Sequence, residues 1–145
     1  MVISNLNIKL IEDRLGFINK AAAKLKRLSF LEEQAFLYND NPAIAESYLR
    51  RALEAVFDIG RHIIARTAAK GVVDYKEVAR ALGNNGVISD ASAAKLILMA
   101  GYRNRLIHLY HEIEDRELYT IVRDHLGDIE NFGREIKDFL RNFPK

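Results

Sequence analysis

The sequence predicts an all-α fold, an antiparallel bundle of four main helices plus short helices, forming one domain over residues 1–145. Only two of the 145 residues are proline, and the frequent alanine, leucine, glutamate, lysine and arginine favour helix over strand. Apolar residues also recur at steps of three and four, the period of an amphipathic helix. This length suits one domain, and neither an internal repeat nor an interdomain linker interrupts the pattern.

The composition limits the classes of protein to which the chain can belong. Hydrophobic residues make up 49% and charged residues 29%, values typical of a folded globular domain. Lysine and arginine number 22 against 20 acidic residues, so nucleic-acid binding would depend on a local basic patch. The absence of cysteine excludes disulfides, thiol catalysis and zinc-thiolate sites. The first residues lack a basic region and a long apolar stretch, so we expect no signal peptide, no membrane span and a cytoplasmic location.

The first half of the chain predicts two long helices with a shorter one between them. The first long helix is predicted over Asn5–Leu28 from its apolar stripe, and a helical piece over Phe30–Tyr38 follows it. Asn41 is the predicted N-cap of the second long helix, with Pro42 at its first helical position. We expect that helix to end near Lys70-Gly71, because glycine readily adopts the left-handed conformation at a helix C-terminus.

The second half predicts one short helix and two long ones. Asp74 is expected to cap a short helix that runs through Leu82 and closes at the turn Gly83–Gly86. These glycines match neither the dinucleotide nor the P-loop pattern, so we assign no phosphate-binding loop. Ser89 or Asp90 opens the third long helix. The last helix has the most regular apolar line, formed by Leu118, Val122, His125, Ile129, Phe132, Ile136, Leu140 and Phe143.

The candidate chemistry lies near the end of the third long helix. Arg103, Asn104 and His108 occupy the path that the apolar stripe of this helix would follow. Because a buried, unpaired arginine is very costly, this line must open into a cleft or meet another polar surface. Arg103 and His108 are five residues apart and point about 140° away from each other on a regular helix. For Arg103 and His108 to act together, the helix end must be distorted, the long arginine side chain must reach round the helix, or a second copy must supply the partner across a twofold axis. We predict a homodimer.

The residues around this pair match a known pattern. The string Arg103–Tyr110, RNRLIHLY, resembles the RX4HXY motif of the HEPN superfamily, specifically its HepT-like toxin branch. The flanking segments Asp58–Ile64, Gly86–Ile88 and Glu117–Ile121 are similar to the same family. The resemblance covers roughly Pro42–Leu140.

The resemblance implies a homodimeric, metal-independent RNA endonuclease without cofactor, acting as the toxin of a toxin-antitoxin pair. Arg103 and His108 match the catalytic pair, and Tyr110 matches the tyrosine that an MntA-type nucleotidyltransferase antitoxin modifies by AMP transfer. A histidine that titrates near neutrality can move the proton of a ribose 2′-hydroxyl, and a permanent arginine charge can stabilise the phosphorane. Asn104 is expected to orient His108 from one turn away, and Arg105 to hold phosphate.

Two other functions remain open at this point. The chain could be a HEPN-type binding module that docks a nucleotidyltransferase without catalysis, or Arg103 and His108 could form only a polar network on the helix surface or at an interface. His108, His111, Glu112 and Asp115 have helical spacing, but neither HExxH nor any Glu-x-x-His occurs, so we predict no metal site.

Several remaining polar and aromatic residues receive structural interpretations. His62 and His125 lie on packed faces, and we expect both to be satisfied core or interface histidines. Tyr102 is interpreted as a packing residue. A locally basic run on the second long helix is most simply a solvated face, although it could also guide RNA: Arg50, Arg51, Arg61, Arg66 and Lys70.

Overall fold

The computed structural model describes residues 5–67, 74–108 and 113–142, and within these ranges the chain is helical and contains no strand. The predicted all-α class is confirmed. In this described part of the chain, four long helices and two short ones follow one another: α1 (Ile8–Ser29), α2 (Glu33–Phe36), α3 (Asn41–Thr67), α4 (Tyr75–Asn84), α5 (Asp90–His108) and α6 (Asp115–Arg141).

The first helix begins later than predicted because a side chain caps it. The Asn7 side-chain oxygen accepts a hydrogen bond of 3.0 Å from the Leu10 backbone N–H, so α1 begins at Ile8 and not at Asn5. The predicted helical piece Phe30–Tyr38 is also too long. Only one helical turn, α2, forms in this segment.

The start of α3 differs from the prediction by one residue. The Asp40 carbonyl accepts a 2.9 Å hydrogen bond from the Ile44 N–H, which places Asp40, and not Asn41, at the N-cap position. The Asn41 side chain instead donates to the Ala35 carbonyl at 3.0 Å and ties α3 to the preceding turn. Pro42 is therefore the second helical residue, still within the first turn, where its missing N–H costs nothing.

The predicted N-caps of α4 and α5 are confirmed. The Asp74 carboxylate accepts from the Lys76 N–H at 2.9 Å and begins α4. The Ser89 hydroxyl accepts from the Ser92 N–H at 3.1 Å, so α5 begins at Asp90. The predicted end of the second long helix at Lys70-Gly71 lies outside the described residues, as does Phe143.

Neighbouring long helices run antiparallel, as predicted. Near the start of α1, Arg14 pairs with Asp58 in the second half of α3 at 3.1 Å. Leu15 packs against Gly133 in the second half of α6. The end of α5 meets the first half of α6, where the rings of Tyr102 and His125 lie 5.4 Å apart. Pro42 at the start of α3 and Ile107 at the end of α5 line the same cleft, so these two helices also run in opposite directions. Because α3 and α6 both run opposite to α1, they are parallel to each other.

The core contains apolar side chains from every helix, and its largest fully buried members include Phe36, Phe57 and Phe132. No charged or polar residue in the described ranges is fully buried. None of the helices in those ranges combines the length and apolar character of a membrane span.

The two histidines predicted for packed faces are partly buried and hydrogen-bonded. The His62 ring accepts a 2.8 Å hydrogen bond from the Asn7 N–H, and burial, together with the nearby Arg66 charge, lowers the pKa of His62 below 6.5. His125 contacts the Asp128 carboxylate at 3.0 Å and the Tyr102 hydroxyl at 3.4 Å. Both histidines are therefore satisfied, but neither belongs to the fully buried core.

The close approach of α4 to α3 depends on Gly60, and replacing Gly60 with alanine is expected to destabilise the protein. The added Cβ would lie 2.8 Å from Val78 Cγ1 and 3.1 Å from Leu82 Cδ1, and both side chains are fully buried. We expect the free energy of unfolding to fall by about 1–3 kcal/mol in urea titrations. Gly16→Ala is the matched control, because its added Cβ meets no atom of another helix within 4 Å and alanine favours helix. Equal stability of the two variants would contradict this packing argument.

Candidate active site

Arg103 reaches its polar partners within the same chain. Its side chain is only 12% exposed, and its Nη2 donates to Glu54 Oε1 on α3 at 3.2 Å. Its Nη1 donates to the side-chain oxygen of Asn104 at 3.2 Å. The guanidinium carbon also lies 4.1 Å from the centroid of the Tyr75 ring, at the start of α4. The partners that Arg103 is predicted to need are therefore Glu54 on α3, Tyr75 on α4 and the neighbouring Asn104.

Glu54 also lines an open cleft of about 750 Å³ between the first half of α3, the end of α5 and the start of α6. One wall is charged and includes Glu46 and Arg50, which form an ion pair of 2.9 Å. The opposite wall is mainly apolar and includes Ile107 and Leu118. The Arg103–Glu54 pair thus joins a nearly buried cation to a carboxylate that lines an open cleft.

His108 is the exposed last residue of α5. Because α5 is a continuous helix through Arg103 and His108, the two side chains diverge by about 140°, as the sequence predicts. No hydrogen bond joins them in the part of the chain that the structure describes. One chain therefore does not bring the predicted catalytic pair together through a distorted helix end. Tyr110 lies outside the described residues.

Asn104 and Arg105 make contacts within the chain that the sequence did not predict. The Asn104 side-chain oxygen accepts from Arg103, and the role of Asn104 toward His108 stays a prediction. Arg105 donates two hydrogen bonds, of 2.6 Å and 2.8 Å, to the two carboxylate oxygens of Glu117. This bidentate pair ties the end of α5 to the start of α6 and lowers the pKa of the Glu117 carboxyl. Glu117 therefore occupies two of the N–H groups with which Arg105 is predicted to hold phosphate.

The Arg105–Glu117 pair predicts a pH-dependent contribution to stability. The side chains are 32% and 37% exposed, so Glu117→Gln is expected to lower the free energy of unfolding by at most about 1 kcal/mol near neutral pH. Because the folded state lowers the pKa of Glu117 from 4.5, the contribution is complete above that value and is lost as the pH falls through the lowered pKa. Urea unfolding at about pH 7 and about pH 3 measures the change. A difference between wild type and variant that is the same at both pH values would contradict this explanation.

No group of three histidine, aspartate or glutamate side chains that could hold a metal ion occurs in residues 5–67, 74–108 and 113–142. His111 and Glu112, which have helical spacing with His108 and Asp115, lie outside the described residues. Metal independence accordingly stays a prediction for experiment.

Two residues of the site were not identified from the sequence. Glu54 had an available signal, because Glu46, Arg50, Glu54 and Asp58 follow one another at four-residue steps and form a charged line on α3. A nearly buried arginine elsewhere needs a carboxylate of this kind. Tyr75 had no such signal, since its contact with Arg103 spans two helices and depends on how α4 packs.

Comparison with known families identifies the chain. Residues 18–136 match the family model described as Ribonuclease HepT-like. The chain belongs to the HepT-like ribonuclease family. The predicted family resemblance is thereby confirmed. The match begins earlier than Pro42, within α1, and ends at residue 136, before Leu140. Membership of this family makes RNA cleavage the class of activity of this HepT-like chain.

Individual relatives agree with the family. A tRNA nuclease HepT from Aphanizomenon flos-aquae is 24% identical over 138 residues, which cover 94% of each chain. The structure of YutE, a cytosolic protein from Bacillus subtilis, has a TM-score of 0.82 at 19% identity and covers 94% of this chain and 92% of YutE. A tri-AMPylated HEPN toxin from Shewanella oneidensis, in complex with an MNT antitoxin, has a TM-score of 0.78 at 23% identity, covering 89% of this chain and 97% of that one. The HepT-like chain therefore has the HEPN fold.

Proposed function

We propose that this HepT-like protein is the toxin of a toxin-antitoxin pair and cuts RNA internally without a metal ion, with Arg103 and His108 as its catalytic residues. The observation that carries the proposal is the placement of Arg103, nearly buried within the family motif and bound to Glu54 at the edge of an open cleft. The tRNA nuclease name of one relative and the antitoxin complex of another support it.

The proposed reaction uses the neighbouring 2′-hydroxyl of the RNA as the nucleophile. His108 removes the 2′-hydroxyl proton, the oxygen attacks phosphorus, and the bond to the 5′-oxygen breaks. The leaving 5′-oxygen takes a proton from the imidazolium form of His108. The products are a 2′,3′-cyclic phosphate and a free 5′-hydroxyl. Arg103 stabilises the additional negative charge on the phosphorane. Asn104 supports Arg103, and Arg105 supports the end of α5 through its pair with Glu117.

We propose that the active protein is a homodimer whose twofold axis brings Arg103 of one copy towards His108 of the other. The support is the divergence of the two side chains along a continuous α5, which leaves His108 exposed and separate from Arg103. Glu54 of the same chain already pairs with Arg103, so Arg103 does not need a second copy for its ion pair. Sedimentation showing only monomer at micromolar concentration would contradict the dimer.

We propose further that AMP transfer to Tyr110 by an MntA-type nucleotidyltransferase antitoxin silences the enzyme. Tyr110 follows His108 by two residues in the motif, so the attached phosphodiester places negative charge beside the catalytic pair. That charge competes with the RNA phosphate for Arg103 and obstructs access. The tri-AMPylated state of the Shewanella toxin supports a modification of this kind.

Incubation with a candidate nucleotidyltransferase and ATP tests the proposal. Wild type is expected to gain AMP mass and lose RNA cleavage, whereas Tyr110→Phe should keep cleavage and gain no AMP, because only the hydroxyl is removed. Intact mass and cleavage are measured on the same samples, and the transferase without ATP is the control. Equal AMP mass on both proteins would refute the Tyr110 assignment. Absence of cleavage by wild type, with the transferase still bound, would favour the alternative of a non-catalytic docking module.

A further inference from the structure

Hydrogen bonds alone do not fix the plane of the Arg103 guanidinium. Nη1 and Nη2 each donate one bond of 3.2 Å, to Asn104 and Glu54. Nε is buried and has no hydrogen-bond partner among the residues that the structure describes. Two bonds made from the outer nitrogens leave the group free to tilt about the line that joins them. A third contact is needed to hold the guanidinium in one orientation.

The ring of Tyr75 supplies that contact. The Arg103 guanidinium carbon lies over the ring at 4.1 Å from its centroid, well within the range of a cation–π interaction. Because the Arg103 side chain is 12% exposed, little water competes for the cation, and this interaction is stronger than at an open surface. The contact is made by the centre of the guanidinium, and Nη1 and Nη2 each keep a second N–H for an oxyanion.

Tyr75 is itself fixed by rigid neighbours. It is the first residue of α4, directly after the Asp74 cap. Its ring lies 5.0 Å from the ring of Phe57, which is 1% exposed in the core. The absence of a side chain at Gly60 lets α4 pack closely on α3. The ring therefore cannot move away from Arg103 without disturbing the α3–α4 contact.

We propose that Tyr75 is a positioning residue for RNA cleavage, which holds the Arg103 guanidinium in the orientation that meets the phosphate. Tyr75 acts through Arg103 and takes no part in proton transfer. The inference rests on the proposed function, because it assigns Arg103 to the RNA phosphate. The hydroxyl of Tyr75 is not required, so Tyr75→Phe should retain the effect and Tyr75→Leu should lose it.

The first measurement does not depend on activity. In NMR spectra, the Arg103 Nε–Hε signal, assigned with Arg103→Lys, should show an upfield ring-current shift and slow solvent exchange in wild type and Tyr75→Phe. Both features should disappear in Tyr75→Leu. An unchanged Arg103 signal in a folded Tyr75→Leu protein would overturn the proposal, whether or not the wild type cleaves RNA.

The second measurement is cleavage of RNA under single-turnover and steady-state conditions. Tyr75→Leu is expected to lower kcat by about five- to thirtyfold with a smaller change in KM, whereas Tyr75→Phe stays within about twofold of wild type. Tyr48→Leu removes a tyrosine that lies near Arg51 instead, and should also stay within about twofold.

The outcomes separate this inference from the proposed function. Equal kcat in folded Tyr75→Phe and Tyr75→Leu would overturn the positioning role while leaving the RNase function standing. Absence of cleavage by wild type would overturn the RNase function, and the Arg103 signal would still decide whether Tyr75 holds the guanidinium. If circular dichroism shows that Tyr75→Leu is unfolded, Tyr75→Met replaces it, because methionine fills much of the ring volume without an aromatic face.

Discussion

Replacing His108 with alanine is expected to lower the rate of RNA cleavage by about two orders of magnitude or more, the usual loss when a general acid-base group is removed. His108 is exposed at the end of α5, so its loss removes no core packing. The free energy of unfolding should therefore change by less than about 0.5 kcal/mol. Cleavage of a labelled RNA, with melting curves of the same samples, measures both quantities.

The matched control for His108 is His62→Ala. His62 binds the Asn7 N–H at the start of α1 and does not line the cleft, so this variant should cost stability but leave cleavage within about threefold. A folded His108→Ala protein that cleaves RNA at the wild-type rate would exclude His108 as the acid-base group. A comparable loss in His62→Ala would show that the assay reports stability and not chemistry.

Replacing Glu54 with glutamine is expected to impair both stability and cleavage. The amide oxygen can still accept one hydrogen bond from Arg103, but it no longer balances the charge of a side chain that is 12% exposed. Removing one partner of a partly buried ion pair leaves the other poorly solvated, which should lower the free energy of unfolding by about 1–3 kcal/mol. A less firmly held Arg103 should also lower kcat by about tenfold.

Glu46→Gln is the control for Glu54, because it removes the same charge from the same wall of the cleft. Glu46 pairs with Arg50 at i, i+4 on the helix surface, so its loss should cost only about 0.5 kcal/mol or less. If Glu54→Gln cleaves RNA faster than wild type, Glu54 competes with the substrate for Arg103, and its role as an anchor is wrong. If Glu46→Gln lowers kcat and the free energy of unfolding as much as Glu54→Gln does, the total charge of the cleft matters and the specific Arg103–Glu54 pair does not.

The features that the sequence predicted well are local ones. Helical periodicity gives the six elements, and side chains such as Asp74 and Ser89 mark helix starts because their hydrogen bonds reach only two or three residues along the chain. The errors at Asn5 and Asn41 are shifts of one to three residues along the chain, since more than one asparagine or aspartate near each helix start can cap the helix and the folded structure uses only one. Asn41 was such a case, because its side chain binds Ala35 and not its own helix.

The candidate site was only partly predictable. The motif Arg103–Tyr110 can be read directly from the sequence. Because Arg103 lies on the apolar stripe of α5, the sequence also shows that this arginine needs a polar partner. The identity of the partners does not follow, because Glu54 and Tyr75 are far from Arg103 in sequence and meet it only when α3, α4 and α5 pack together. Asn104 is predicted to orient His108 from one turn away, and Arg105 to hold phosphate by its charge. Their observed contacts with Arg103 and Glu117 depend on side-chain and helix packing, which the sequence does not specify.

The central claim, metal-independent RNA cleavage by attack of the 2′-hydroxyl, is tested most directly by the products formed in EDTA. Purified wild-type protein should cut RNA in excess chelator and leave 2′,3′-cyclic phosphate and 5′-hydroxyl ends, identified by mass spectrometry, and RNA with a 2′-deoxy substitution at the cut site should resist cleavage. Loss of activity in EDTA that returns with added divalent metal, or products carrying 5′-phosphate ends, would contradict the account.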